Sequence, residues 1–194
     1  MLIAFEGLDQ SGKETQARLF RDRLRENKIK ARLVSFPDYG TAIGEEIARA
    51  LQGEREYAPE VMQLLYVANR YERKPDLQRW HEAAITLLCD RYIASSVAYG
   101  EAQGIDPVWL TELQRFLPQP DLTILLDIAP ETAASRKTIG RDRYERDLVL
   151  QTQVRKSYLR QAQQSDWLRV DGEQSTSLVE AAIIEAVGPK LDRT

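Results

Sequence analysis

Seven residues near the start of the chain, Gly7-Leu8-Asp9-Gln10-Ser11-Gly12-Lys13, restrict its fold more than any other segment. They fit the pattern G-x-x-x-x-G-K, and their flanks suit it. Met1 to Phe5 is a short apolar run of strand type, and Glu14 to Glu26 reads as an amphipathic helix. Two glycines let the backbone curl so that successive N–H groups point inward and make a cradle for oxyanions. The helix N-terminus adds partial positive charge at the same spot, and the lysine reaches the β/γ-phosphates. A chain built this way is suited to hold a nucleoside triphosphate on Gly7, Leu8, Asp9, Gln10, Ser11, Gly12, Lys13, Glu14 and Thr15. One letter departs from the template. Glu14 stands where a Ser or Thr hydroxyl normally holds Mg2+, and Thr15 follows it.

Beyond the loop, short apolar runs alternate with helical stretches, the pattern of βαβ units around a parallel sheet. Strands are expected at Leu2–Glu6, Ala31–Phe36, Ile85–Asp90, Leu122–Asp127 and Trp167–Val170. Helices are expected at Lys13–Glu26, Ala42–Leu51, Pro59–Arg73, Pro75–Trp80, Ala94–Gln103, Pro107–Phe116, Pro130–Lys137, Glu145–Gln163 and Ser177–Ala186, with Pro75 dividing the third from the fourth. The expected class is α/β: one P-loop NTPase-type domain of three layers over residues 1–194, its five-stranded parallel sheet flanked by helices.

Composition narrows the chemistry. With a formal net charge of −3 the chain lacks the basic stripe that a nucleic-acid polymer requires. A single cysteine, Cys89, and a single histidine, His81, exclude a Cys/His metal cluster and make His-based nucleophilic catalysis a poor expectation. Cys89 reads as a buried strand residue and His81 as a surface residue. No apolar run has the length of a membrane span, so no membrane partner is expected and the cytoplasm is the expected location.

Ligands of open parallel sheets bind at the carboxyl ends of the strands. Here those ends read Glu6-Gly7, Phe36-Pro37-Asp38, Asp90-Arg91-Tyr92 and Asp127. Asp90 ends an apolar strand as a carboxylate near an Mg2+ shell would, and Arg91 could grip a phosphate with its planar fork; a plain surface ion pair reads the same way. Tyr66 and Arg70, four apart on a helix, could stack a base and hold its polar edge, or form an ordinary surface contact. Ser96 and Tyr99 share a helix face that could line a nucleoside pocket or simply pack on the sheet. The cation-rich stretch around 136–147, with Gly140 as its hinge, could close over a triphosphate or remain a solvated loop.

Together these segments resemble the thymidylate kinase family of nucleoside monophosphate kinases. The likeness rests on Phe5-Glu6-Gly7-Leu8-Asp9, Phe36-Pro37, Leu64 to Arg70, Asp90-Arg91-Tyr92 with Ser95 to Tyr99, Leu117-Pro118-Gln119-Pro120-Asp121-Leu122 and Arg143-Tyr144-Glu145, in family order from residue 2 to about 147. The resemblance implies ATP on the phosphate loop, Mg2+, dTMP as acceptor and a homodimer. It puts Lys13, Arg91, Asp9, Arg141 and Arg143 at the chemistry, with Arg136 in the same lid. Asp9, Phe36, Pro37, Tyr66, Arg70, Arg91, Ser96, Tyr99 and Tyr144 would meet dTMP. Tyr66 would stack on thymine where the family usually has Phe, and Tyr99 would press on the sugar C2′. Metal ligation would fall to Asp9, Thr15 and Asp90.

Three positions depart from the family pattern. Gln10 stands where some members carry an arginine, which places this chain with those that supply that charge from the lid. Glu14 replaces the hydroxyl residue, and Asp38-Tyr39 follows Phe36-Pro37 where an arginine is frequent. Competing expectations are a kinase for another nucleotide and a nucleotide-binding module without turnover. A GTPase is disfavoured, because Asn27-Lys28-Ile29-Lys30 lacks the acid of the guanine motif.

Overall fold

Strand β1 (Leu2–Glu6) is buried along its whole length, as a central strand between two helical layers must be. Its side chains alternate: Ile3 and Phe5 join one core, Leu2 and Ala4 the other. In the computed structural model, which describes residues 1–136, 144 and 147–191, β1 is the middle of a five-stranded sheet. The order is β2-β3-β1-β4-β5, with β2 at Ala31–Ser35, β3 at Thr86–Asp90, β4 at Leu122–Asp127 and β5 at Trp167–Asp171. All pairings are parallel, and Phe5 lies opposite both Asp90 and Ile124. The chain leaves β1 toward one edge and later returns to its other side, so the loop after β1 opens at the reversal of strand order. That is where open α/β sheets leave a crevice.

Helices α1 (Lys13–Glu26) and α8 (Thr176–Leu191) cover one face, packing Phe20, Leu24, Val179 and Ile183 on Ile3, Phe5 and Ile124. Helix α3 (Pro59–Glu82) covers the other through Leu77 on Leu2, Ala4 and Leu87. Near the strand ends, α4 (Ile93–Ala102) and α7 (Leu148–Gln161) pack Ala94, Ala98, Val154 and Tyr158 around Leu8 and Leu125. Shorter helices α2 (Ala42–Leu51), α5 (Pro107–Glu112) and α6 (Pro130–Arg136) complete the described layers. Among the described residues, no helix is long and apolar enough to cross a membrane.

The expected strands are present to within a residue at each end. Among the helices, α7 is shorter than the expected Glu145–Gln163 and α8 runs five residues past the expected end at Ala186; two further differences have a clear physical cause. Pro75 does not divide α3, which runs unbroken from Pro59 to Glu82. Both sides of the proline are tied down: Tyr71 donates to the Leu113 carbonyl at 2.9 Å, Arg73 bonds Asp38 and Asp76, and Leu77 is fully buried. Pro75 itself is on the exposed side, where the carbonyl it frees can be hydrated. Tertiary packing thus overrides the roughly 3 kcal/mol that an interior proline costs a helix. Pro75→Ala is therefore expected to stabilise the fold by about 1–2 kcal/mol, after allowing for a freer unfolded chain. Urea unfolding of the two proteins measures it.

The second difference is α5, which stops at Glu112 rather than Phe116. Its continuation winds through tighter bonds, Gln114 N to Thr111 O at 3.0 Å and Leu117 N to Gln114 O at 3.0 Å. This turns Gln114 inward toward α3.

Candidate active site

The loop after β1 forms the phosphate cradle that its composition requires. Gly7 has φ 140°, and a Cβ there would lie 2.5 Å from the Leu126 carbonyl oxygen and 2.9 Å from Ser11 Oγ. Only glycine fits both the conformation and the space. The Lys13 side chain turns back over the loop and donates from Nζ to the Leu8 carbonyl at 2.7 Å. Burial and the nearby Arg91 charge lower its pKa to about 8, against the pull of Asp9, Asp90 and Glu6. Glu14 and Thr15 are both exposed, and Glu14 pairs with Arg18 one turn on, at 2.6 Å. Two polar atoms near the loop are buried without a hydrogen-bond partner: Ser11 Oγ and Asp90 Oδ1.

A cleft of about 600 Å3, its open mouth included, lies next to the loop. Asp9, Phe36, Pro37, Tyr66, Arg70, Arg91, Ser96, Tyr99 and Tyr144 all line it, so the fold gathers every residue expected to meet an acceptor into one place. Arg70 is buried and donates from one terminal nitrogen to Ser96 Oγ at 2.8 Å and Gln114 Oε1 at 3.2 Å. Gln114 can offer its oxygen because its amide nitrogen is held by the carbonyls of Leu110 and Ile93. The Nε of Arg70 has no partner, and its guanidinium lies 6.0 Å from the Phe36 ring centre.

Arg91 sits where loop and cleft meet. It bonds Asp9 Oδ1 at 2.6 Å, Tyr99 OH at 3.3 Å, Ser95 Oγ at 3.2 Å and the Gly7 carbonyl at 3.4 Å. Tyr99 gives its hydroxyl proton to the other Asp9 oxygen at 3.0 Å. Burial alone would raise the Asp9 pKa, but the charges of Arg91 and Lys13 hold it well below the usual carboxylate range. Both Asp9 oxygens are thus engaged where the residue lines the cleft. The Tyr144 ring meets Tyr99 edge-on at 6.3 Å.

The turn after β2 is fixed from α3. Asn69 accepts from Asp38 N at 2.8 Å and donates to the Asp38 carbonyl and Thr41 Oγ1. Asp38, which follows Phe36-Pro37, pairs with Arg73 at 2.5 Å. The turn also needs Gly44, where a Cβ would lie 1.8 Å from the Asp38 carbonyl oxygen.

Other expectations fare differently. Asp127 does not join the charge around the loop; Arg155 and Arg169 grip it, each at 2.7 Å. Arg136 bonds the carbonyls of Gln10 at 3.0 Å and Gly172 at 2.8 Å, tying the loop after β5 to the phosphate cradle. Arg141 and Arg143 lie outside the described residues. Cys89 is buried, and His81 is exposed in the last turn of α3. Gln63, Gln114, Asn69 and Tyr158 carry parts of the site that the residue pattern did not reveal. Helical spacing identifies a shared face, not which long-range partner it meets.

The thymidylate kinase family model matches residues 5–183. The chain belongs to that family. It is 36% identical over 191 residues to a thymidylate kinase of Schizosaccharomyces pombe, covering 96% of this chain and 90% of the relative. The thymidylate kinase of Plasmodium falciparum is 31% identical over 186 residues, covering 95% and 88%. The solved thymidylate kinase of Candida albicans superposes with a TM-score of 0.84 at 28% identity, covering all of this chain and 93% of that one. This family membership makes the chain an ATP-dependent nucleoside monophosphate kinase.

Proposed function

We propose that the chain transfers the γ-phosphoryl group of ATP to dTMP, giving dTDP and ADP. The observation that carries this reading is Arg91, bonded to both the phosphate loop and Asp9 while lining the nucleoside-sized cleft. One guanidinium there can hold the acceptor phosphate in line with a triphosphate on Gly7–Lys13. Tyr66, Phe36 and Pro37 offer flat surfaces for a base, while Arg70 and Ser96 offer polar groups to its edge. Tyr99, anchored through Asp9, stands beside the sugar and works against a 2′-hydroxyl. Lys13 and the arginines of the lid, Arg136, Arg141 and Arg143, neutralise the transferring group. The whole chain acts as one kinase domain with its lid near 136–147, and pairs into a homodimer as family likeness supports.

No general base is required. The second pKa of a phosphate monoester is near 6, so the acceptor is largely a dianion at neutral pH. The single histidine, remote at the end of α3, accords with this. Mg2+ fits the loop on one observation: Asp90 has a buried oxygen without a partner, within reach of the charges of Lys13 and Glu14. Asp90, with Glu14 or Thr15 at the start of α1, would hold the ion and its waters. When bound, it would neutralise the phosphate oxygens of the donor. Among the described residues, no three of His, Cys, Asp or Glu gather into a group that could hold a metal.

The test is ADP release from Mg-ATP with each deoxynucleoside and ribonucleoside monophosphate offered in turn. Turnover with dTMP well above the others is the expected result. A different preferred acceptor would indicate another kinase of this fold, and ATP binding without any turnover would indicate a non-catalytic module.

A further inference from the structure

Glu6, at the carboxyl end of β1, is fully buried and is not among the residues that line the acceptor cleft. It nevertheless holds four hydrogen bonds to groups far along the chain. Oε1 accepts from Tyr92 N at 2.7 Å and Ser95 N at 3.2 Å. Helix α4 has no side-chain cap of its own at Tyr92, so Glu6 caps it from another strand. Oε2 does something different. It accepts the hydroxyl protons of Ser95 at 2.6 Å and Tyr158 at 2.8 Å.

Those two hydroxyls are in turn acceptors for one nitrogen of Arg91, at 3.2 Å from Ser95 and 3.5 Å from Tyr158. A hydroxyl has one proton. Once that proton is given to Glu6, only lone pairs remain to face the guanidinium. We propose that Glu6 is a positioning residue for Arg91: by taking the protons of Ser95 and Tyr158 it aims both hydroxyl oxygens at the arginine. Arg91 follows the end of β3 with a left-handed backbone, at φ 62°, and its side chain reaches the Gly7 carbonyl of the loop. Glu6 thus couples the cap of α4 to the orientation of the acceptor-phosphate grip. The inference rests on the reading of Arg91 as that grip.

Glu6→Gln separates the two roles. The amide oxygen can keep the Tyr92 and Ser95 N–H bonds, so the cap survives. The amide nitrogen then faces the hydroxyls and donates to them; one hydroxyl proton can pass between Ser95 and Tyr158, 2.9 Å apart, and the other is left to turn toward Arg91. The expected result is a roughly tenfold fall in kcat/KM for dTMP, the scale of disturbing hydrogen bonds to a charged group. Affinity for ATP alone, measured by calorimetry, should change by less than about twofold, because the cradle is untouched. In an Arg91→Ala background the same substitution should add nothing.

Tyr158→Phe is the second variant, keeping Glu6 and the packed ring but deleting one oriented hydroxyl; a roughly threefold fall for dTMP is expected. Equal losses for ATP and dTMP would overturn the inference, as would an undiminished effect without Arg91. So would unchanged kinetics in both variants. If Glu6→Gln does not fold, Tyr158→Phe decides in the same terms. Should Arg91→Ala itself leave dTMP turnover intact, the reading of Arg91 fails first and the role of Glu6 falls with it.

Discussion

Arg91→Ala is expected to lower kcat/KM for dTMP by about 10²- to 10³-fold, the range for losing a preorganised charge at a phosphoryl-transfer centre. The substitution also removes the partner of Asp9, whose side chain retains only 31% of its exposed surface. Asp9 keeps the Tyr99 hydroxyl and the charge of Lys13, but a partly buried carboxylate that loses its paired cation costs stability, here up to about 3 kcal/mol, at the low end for a broken buried pair because some water remains. The two effects can be parted. Asp9→Asn in the Arg91→Ala background removes the stranded charge, so most of the stability should return while activity stays low. Steady-state kinetics and denaturant unfolding on the three variants give the answer. Recovery of activity with stability would mean that Arg91 serves only to hold the fold.

Lys13→Ala is expected to lower kcat/KM by at least about 10²-fold, with near-normal turnover removing Lys13 from its role. Its environment adds a second, independent signature. The group has its pKa lowered from 10.5 to about 8, mainly by burial. Below about pH 8 it is therefore charged, and above that it is increasingly neutral. A triphosphate in the cradle favours the charged form, so ATP binding at pH 9 should take up a proton, whereas binding at pH 7 should take up almost none. Calorimetry at pH 9 in two buffers of different ionisation enthalpy reads the uptake directly. A buffer-independent enthalpy at pH 9, equal to that of Lys13→Ala, would show that the nitrogen keeps its proton throughout.

Much of this architecture can be read from neighbouring residues. The cradle is local: Gly7, Gly12 and Lys13 act within one turn of chain, and their spacing carries the geometry. The acceptor cleft was legible as a set of parts, because Tyr66–Arg70 and Ser96–Tyr99 lie on single helix faces. Pro75 was misleading for an equally physical reason. Its intrinsic cost is a property of the residue, whereas the anchors that offset it, Leu113 beyond Tyr71 and Asp38 beyond Arg73, come from distant segments.

Local pattern was enough for the alternation of strand and helix and for the phosphate loop, which follow from periodicity and backbone sterics over a few residues. Tertiary structure alone decided which strand ends meet. The order β2-β3-β1-β4-β5 brings Arg91 to Asp9 and leaves Asp127 to Arg155 and Arg169. It also let Glu6 accept protons from residues 89 and 152 positions away. A hydrogen bond depends on distance in space, and no local pattern records which remote hydroxyl a buried carboxylate will face.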